Sequence, residues 1–132
     1  MQANHSTEQW ETMRHRGFFP IVCELGYMSY TKENYEAVEP LAPGMHFLRN
    51  DLDCDNLGLT VLDVEAGWDG KEHEHTDDGQ EEVYLLVDGS GTLDIDGEEI
   101  PLEPGDAVRV DPDATRQLSF DDESTMVIAG AP

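Results

Sequence analysis

The chain has 132 residues and a formal net charge of −23, because 30 Asp and Glu residues outnumber 7 Lys and Arg residues. This length suffices for one hydrophobic core but not for two, so we expect a single domain. A surface this negative repels phosphate, which excludes nucleic acids and anionic membranes as expected partners.

The acidic residues are spread along the chain in short pairs, such as Asp77-Asp78 and Glu98-Glu99, and are not gathered in one tail. Such a shell repels itself in dilute solution, whereas at 1 M salt a Debye length of ~3 Å screens the repulsion. Two cysteines do not make a disulfide framework, and the sequence shows neither a signal peptide nor an apolar run that would span a membrane. We therefore expect a protein of a halophilic cytoplasm.

The first 27 residues differ in composition from the rest. They carry three acids and two arginines, a net charge of −1, whereas residues 28–132 carry 27 acids and five bases, a net charge of −22. The sequence from Ser6 to Gln9 has the pattern of a capping box, which predicts a short helix to about Arg14. Two interpretations remain open for residues 1–27: an accessory arm, or an extension of a protein that starts at Met28. In both, residues 28–132 form the domain.

From Met45 onward the chain is a series of short apolar runs separated by Gly, Pro and Asp, which is typical of a β-sandwich or barrel. Asp96-Gly97 predicts a type I′ hairpin, because both residues tolerate positive φ, and Pro104-Gly105 suits a type II turn. The predicted strands cover residues 45–49, 58–65, 71–75, 82–88, 91–96, 98–103, 106–110, 115–120 and 124–129.

Two histidines stand in the predicted strand 71–75. Successive strand residues point to opposite faces, so His73 and His75 share one face. A polar turn leads into the strand that starts at Glu82, and this strand can return antiparallel beside the histidines with Tyr84 on the same face as Glu82. Two neutral imidazoles and one carboxylate form a facial triad that suits Fe(II) and also accepts Mn, Ni, Co or Zn. We therefore expect a divalent metal site.

These residues resemble the first motif of the cupin superfamily in their order and spacing: Gly67, His73, His75, Glu82 and Gly89. The glycine spacing selects Glu82 over Glu81 as the ligand. Six residues separate His75 from Glu82 where the family usually has three or four, which indicates an insertion at Asp77 to Gly79. The resemblance implies an all-β, double-stranded β-helix (jelly-roll) barrel over about residues 45–129.

A second stretch, from Gly105 through Pro112 to Gln117, is similar to the second cupin motif. Gln117 stands where the family has a fourth ligand, a histidine, so the resemblance implies Gln117 as a weaker fourth metal ligand or as a polar group of the pocket. Alternation sends Arg116 and Gln117 to opposite faces. Arg116 either pairs with an acidic neighbour such as Asp113 or, if it points into the barrel, binds an anionic substrate. Tyr84 either packs in the core or faces the substrate.

Two classes of function remain open. The resemblance implies an enzyme in which Fe, Mn, Ni or Zn acts as a Lewis acid, such as a dioxygenase, a sugar-phosphate isomerase or a decarboxylase. The alternative is a barrel that binds or senses a metal or metabolite without turnover, which the missing fourth histidine favours. Both classes need a small-molecule ligand. A homodimer through strand or sheet contacts is implied by the resemblance alone.

Overall fold

The computed structural model describes residues 29–132. The predictions made for residues 1–27, including the short helix and the start at Met28, lie outside the described residues. Residues 33–132 form one unit, and all the elements below belong to it. No helix of the described part has the length and apolar character needed to cross a membrane.

A single short 3-10 helix and eight strands make up the regular structure of the described residues. The helix covers Tyr35–Ala37. The strands are β1 (Met45–Phe47), β2 (Gly58–Val64), β3 (Glu81–Asp88), β4 (Gly91–Ile95), β5 (Glu98–Leu102), β6 (Ala107–Val110), β7 (Arg116–Phe120) and β8 (Ser124–Ala131).

The strands form two antiparallel sheets, one with the order β1-β2-β8-β3-β6 and one with the order β5-β4-β7. Both sheets contribute apolar side chains to one core. Its most buried members include Leu62, Leu86, Leu93, Phe120 and Met126. The prediction of an all-β fold is confirmed, and the arrangement is consistent with a jelly-roll barrel.

The predicted hairpin turn between β4 and β5 is also confirmed. Asp96 and Gly97 have φ values of 52° and 89°, as a type I′ turn requires, and Ile95 pairs with Glu98 across it. At the end of β3, Gly89 has a φ of 101°, and a Cβ there would lie 2.1 Å from the Ser124 hydroxyl oxygen. Only glycine fits this position, where the chain leaves the strand that carries Glu82.

The prediction of a strand over residues 71–75 is wrong. The chain from Gly67 to His73 instead runs beside β7 as an extended segment, which we call the histidine segment. His73 exchanges two backbone hydrogen bonds of 2.9 Å with Arg116, and the Gly70 amide donates to the Leu118 carbonyl at 2.8 Å. The histidine segment cannot pair with β3, because β8 and β6 already occupy both edges of that strand.

Candidate metal centre

The three predicted ligands converge, although they come from different sheets. His73 ends the histidine segment beside β7, His75 follows two residues later with its amide bonded to the Pro112 carbonyl, and Glu82 lies near the start of β3 in the larger sheet. One ligand atom from each lies within 4.8 Å of the other two. The Nε2 atom of His75 lies 3.3 Å from Glu82 Oε2, and that of His73 lies 4.0 Å from Glu82 Oε1. These spacings suit atoms that share one ion with bonds of ~2 Å.

Hydrogen bonds on the far side of each imidazole orient the two rings. The Nδ1 atom of His73 lies 3.1 Å from the Lys71 carbonyl oxygen, and that of His75 lies 3.1 Å from both carboxylate oxygens of Asp78. Both partners only accept hydrogen bonds, so each neutral ring carries its proton on Nδ1. The lone pair of each Nε2 is thereby left for an ion at the centre, as in many metal sites.

Asp78 belongs to the long turn that separates the histidines from Glu82. Desolvation raises the pKa of its carboxyl group, but the hydrogen bonds from the His75 ring and from the Gln80 backbone amide outweigh it and hold the pKa below its usual value. Asp78 therefore stays ionised and accepts the hydrogen bond from the His75 ring. The sequence indicated an insertion here but did not indicate that it supplies a partner for His75. The signal that could have indicated this partner is an acid three residues after a predicted ligand.

Tyr84 holds the carboxylate of Glu82 from inside the barrel. Its hydroxyl donates to Glu82 Oε1 at 2.6 Å, and its side chain is 1% exposed. Burial, together with the charge and the hydrogen bond of Glu82, raises the pKa of Tyr84 far above its usual value, and the nearby Arg116 lowers it only in part. The hydroxyl therefore remains a donor. Tyr84 thus packs in the core, as one of its two predicted roles requires, and the other role, contact with substrate, stays a prediction.

Gly130 makes room for Glu82, and sequence reasoning missed it. The two residues are paired between β8 and β3. A Cβ on Gly130 would lie 2.9 Å from Glu82 Cγ and 3.1 Å from Gln80 Oε1. Because this contact depends on the register of two strands more than forty residues apart in the chain, no local pattern in the sequence indicates it.

The three ligands open onto a cavity of about 420 Å³. Tyr84 and Arg116 also line it. Most of the remaining wall is apolar and includes Met45, Phe47, Leu59, Leu62, Trp68, Leu118 and Ile128. The cavity therefore joins a small polar cluster to a larger hydrophobic surface, which is typical of sites for small organic molecules.

Arg116 and Gln117 point in opposite directions. Arg116 is 1% exposed and lines the cavity, while its Nη2 donates to the Asp111 carbonyl at 3.0 Å. Gln117 is exposed, does not line the cavity, and donates from Nε2 to the Gly70 carbonyl at 2.9 Å. The structure thus leaves Gln117 outside the cavity that the other three predicted ligands line, and its role as a fourth ligand stays a prediction. Strand alternation is the reason, since an inward residue of β7 must be followed by an outward one.

The family assignment rests on residues 60–129, which match the cupin domain family. The match covers more than half of the chain, so the protein belongs to this family. Its sequence is 37% identical over 62 residues to the acireductone dioxygenase of Bacillus anthracis, and the alignment covers 43% of this chain and 35% of the dioxygenase. The chain thus spans about a third of the length of the curated relatives it matches.

Solved structures of the same fold agree with this assignment. A cupin protein from Bacteroides fragilis is 26% identical, with a TM-score of 0.67 over 80% of this chain and 86% of the other. An RmlC-like cupin from Shewanella frigidimarina is 19% identical, with a TM-score of 0.63 over 80% of this chain and 95% of the other. The predicted membership of the cupin superfamily is confirmed.

Proposed function

We propose that this protein is a metal-dependent dioxygenase of a small organic substrate, with a divalent ion held by His73, His75 and Glu82. The observation that carries the proposal is the convergence of these three ligands on the wall of a largely apolar cavity. The donor set of two imidazoles and one carboxylate is the set that non-haem Fe(II) oxygenases use, and Mn, Ni and Zn also accept it. The similarity to acireductone dioxygenases supports the same class.

The donor set fits a divalent ion by charge as well as by geometry. With neutral imidazoles, Glu82 supplies the single negative charge. Because only three protein ligands surround the centre among the described residues, positions remain open for substrate. A bound ion would supply Lewis-acid polarisation of substrate oxygen atoms at those positions.

The protein's own groups then have separate tasks. Asp78 and the Lys71 carbonyl keep both imidazoles in the ligating tautomer. Tyr84 orients the Glu82 carboxylate by a hydrogen bond. The apolar wall offers a hydrophobic surface to the body of a substrate beside the polar cluster.

Elemental analysis tests the metal, and oxygen consumption tests the chemistry. We expect protein purified without chelators or affinity resin to carry about one equivalent of Fe, Mn, Ni or Zn per chain, as a single triad implies. We expect it to consume oxygen with a member of a panel of enediols, 2-oxo acids and 2-hydroxy acids. Stoichiometric metal without oxygen uptake would favour the sensing alternative, and metal-free protein that cannot be reloaded would contradict both functions.

We further propose a homodimer that is adapted to high salt. After Glu81, the outward side chains of β3 form an uncharged strip of Val83, Leu85 and Val87, which are 39%, 37% and 51% exposed. Two chains of charge −23 approach at lowest electrostatic cost through such a strip, and salt screens the rest. We expect sedimentation and thermal melting to show a dimer and a higher melting temperature at ~1 M KCl, where the Debye length is ~3 Å. A monomer in both low and high salt would contradict the dimer.

A further inference from the structure

Arg116 is a buried cation whose donors are mostly unused. The side chain is 1% exposed and lines the cavity that holds the proposed metal centre. Its Nη2 donates to the Asp111 carbonyl, but among residues 29–132 no atom accepts a hydrogen bond from Nε or Nη1. Burying a charged group without partners is costly, so these donors call for an acceptor.

The nearby protein groups do not supply that acceptor. No carboxylate of residues 29–132 forms an ion pair with Arg116 within 4.0 Å. Glu82, the acid of the same cavity, is already engaged by the Tyr84 hydroxyl at 2.6 Å and by His75 at 3.3 Å. The free donors of Arg116 are therefore left for a ligand.

The charges of the cavity favour an anion as that ligand. Three cations line the cavity, Arg49, Lys71 and Arg116, against one acid, Glu82, so the wall carries a charge of about +2 before any divalent ion is added. This lies inside a protein whose net charge is −23. The cavity would thus be positive within a surface that otherwise repels anions.

The walls of the cavity restrict the body of such an anion. Phe47, Trp68 and Leu118 stand among the apolar residues around the same space, and the volume of about 420 Å³ matches a small organic molecule. We propose that the cavity binds small organic acids with an apolar body, and that Arg116 binds their carboxylate. The proposal deepens the proposed function and rests on it for the reaction, but the contact with Arg116 does not require the metal.

A matched pair of probes, mandelate and mandelamide, tests the contact with Arg116. Both carry the same phenyl body and hydroxyl group, and only mandelate is an anion. Calorimetric titrations would use metal-free and Ni(II)-loaded protein at ~1 M KCl, where long-range fields are screened. We expect mandelate to bind at least ~10-fold more tightly than mandelamide, which corresponds to ~1.4 kcal/mol.

Substitutions assign that preference to its source. We expect Arg116→Gln to bring the ratio of the two affinities close to one, and Arg116→Lys to keep part of it, because lysine keeps the charge but not the planar fork. Arg109→Gln is the matched control, since it removes a positive charge at an exposed position that pairs with Glu81 and Asp111. This control should leave the ratio unchanged.

A direct measurement covers the case in which Arg116→Gln does not fold. In wild-type protein, the side-chain Nε–H resonance of Arg116 should shift on titration with mandelate and not with mandelamide. A wild-type affinity ratio near one, an unshifted resonance, or a ratio that survives in folded Arg116→Gln overturns the proposal.

The outcomes separate this proposal from the proposed function. A preference that depends on Arg116 in protein unable to bind metal supports the carboxylate site and contradicts the dioxygenase. Stoichiometric metal and oxygen uptake, with a preference that is independent of Arg116, support the dioxygenase and contradict the carboxylate site.

Discussion

Two segments of the chain build the same cavity in different ways. The segment from Gly67 to Gly89 brings together the three proposed metal ligands. The segment from Gly105 to Gln117 instead delivers a buried cation, because Arg116 points inward and Gln117 points outward. Motif spacing thus located both segments, but strand β7 decided the directions of the Arg116 and Gln117 side chains. The consequence is a cluster of three proposed ligands with a buried cation in the wall of the same cavity.

The largest effect is expected from removing the imidazoles of the first segment. In the double variant His73→Ala, His75→Ala, two of three ligands are lost, and we expect metal content to fall below about a tenth of an equivalent, because one carboxylate alone binds such ions weakly. Neither histidine belongs to the buried core, so the circular dichroism spectrum should be unchanged.

His46→Ala is the control for that experiment. The Nδ1 atom of this histidine lies 3.0 Å from the Val38 carbonyl oxygen, which can only accept a hydrogen bond, and the residue does not line the cavity. Its metal content should match the wild type. Full metal content in the double variant would refute the ligand assignment.

A smaller effect is expected at Asp78. Asp78→Asn weakens the hydrogen bond that fixes the His75 tautomer, and loss of such a partner typically costs 10- to 100-fold in metal affinity. Competition with a chromogenic chelator would measure the change. Asp77→Asn removes the same charge one residue earlier and should have little effect; equal losses in both variants would indicate a general charge effect.

A still smaller effect is expected from adding a methyl group beside Glu82. In Gly130→Ala the new Cβ would lie 2.9 Å from Glu82 Cγ. If ~1 kcal/mol of the resulting strain falls on the metal-bound state, the affinity drops about fivefold. Gly58→Ala is the matched control on β2, because its Cβ would meet nothing closer than 3.7 Å. Unchanged affinity in Gly130→Ala would mean that the Glu82 carboxylate adapts freely.

We expect no change in metal affinity from a substitution at Gln117 in the second segment. Gln117→Ala removes a side chain that bonds the Gly70 carbonyl outside the cavity, so metal affinity should stay within about twofold of the wild type, below 0.5 kcal/mol. The same chelator competition measures it. A tenfold loss would break the contrast between the two segments and restore Gln117 as a ligand.

Much of the fold was predictable because its signals are local. The Asp96-Gly97 turn needs only two residues that tolerate positive φ, and both have it. In β3, side chains alternate between the two faces of the strand. Glu82, Tyr84 and Leu86 therefore lie on the inner face, and Val83 and Leu85 are exposed on the outer face. The histidine segment failed as a predicted strand because its pairing depends on which strand edge is free.

The sequence alone indicated the class of fold, because turn and strand signals are local, and it indicated the three proposed ligands through the spacing of a family motif. The tertiary structure decided what surrounds them. Register between β3 and β8 set Gly130 against Glu82, the path of the turn brought Asp78 to His75, and the pairing of β7 with the histidine segment turned Arg116 into the cavity. The first and the third of these contacts join residues more than forty positions apart in the chain, so they exist only once the strands have paired.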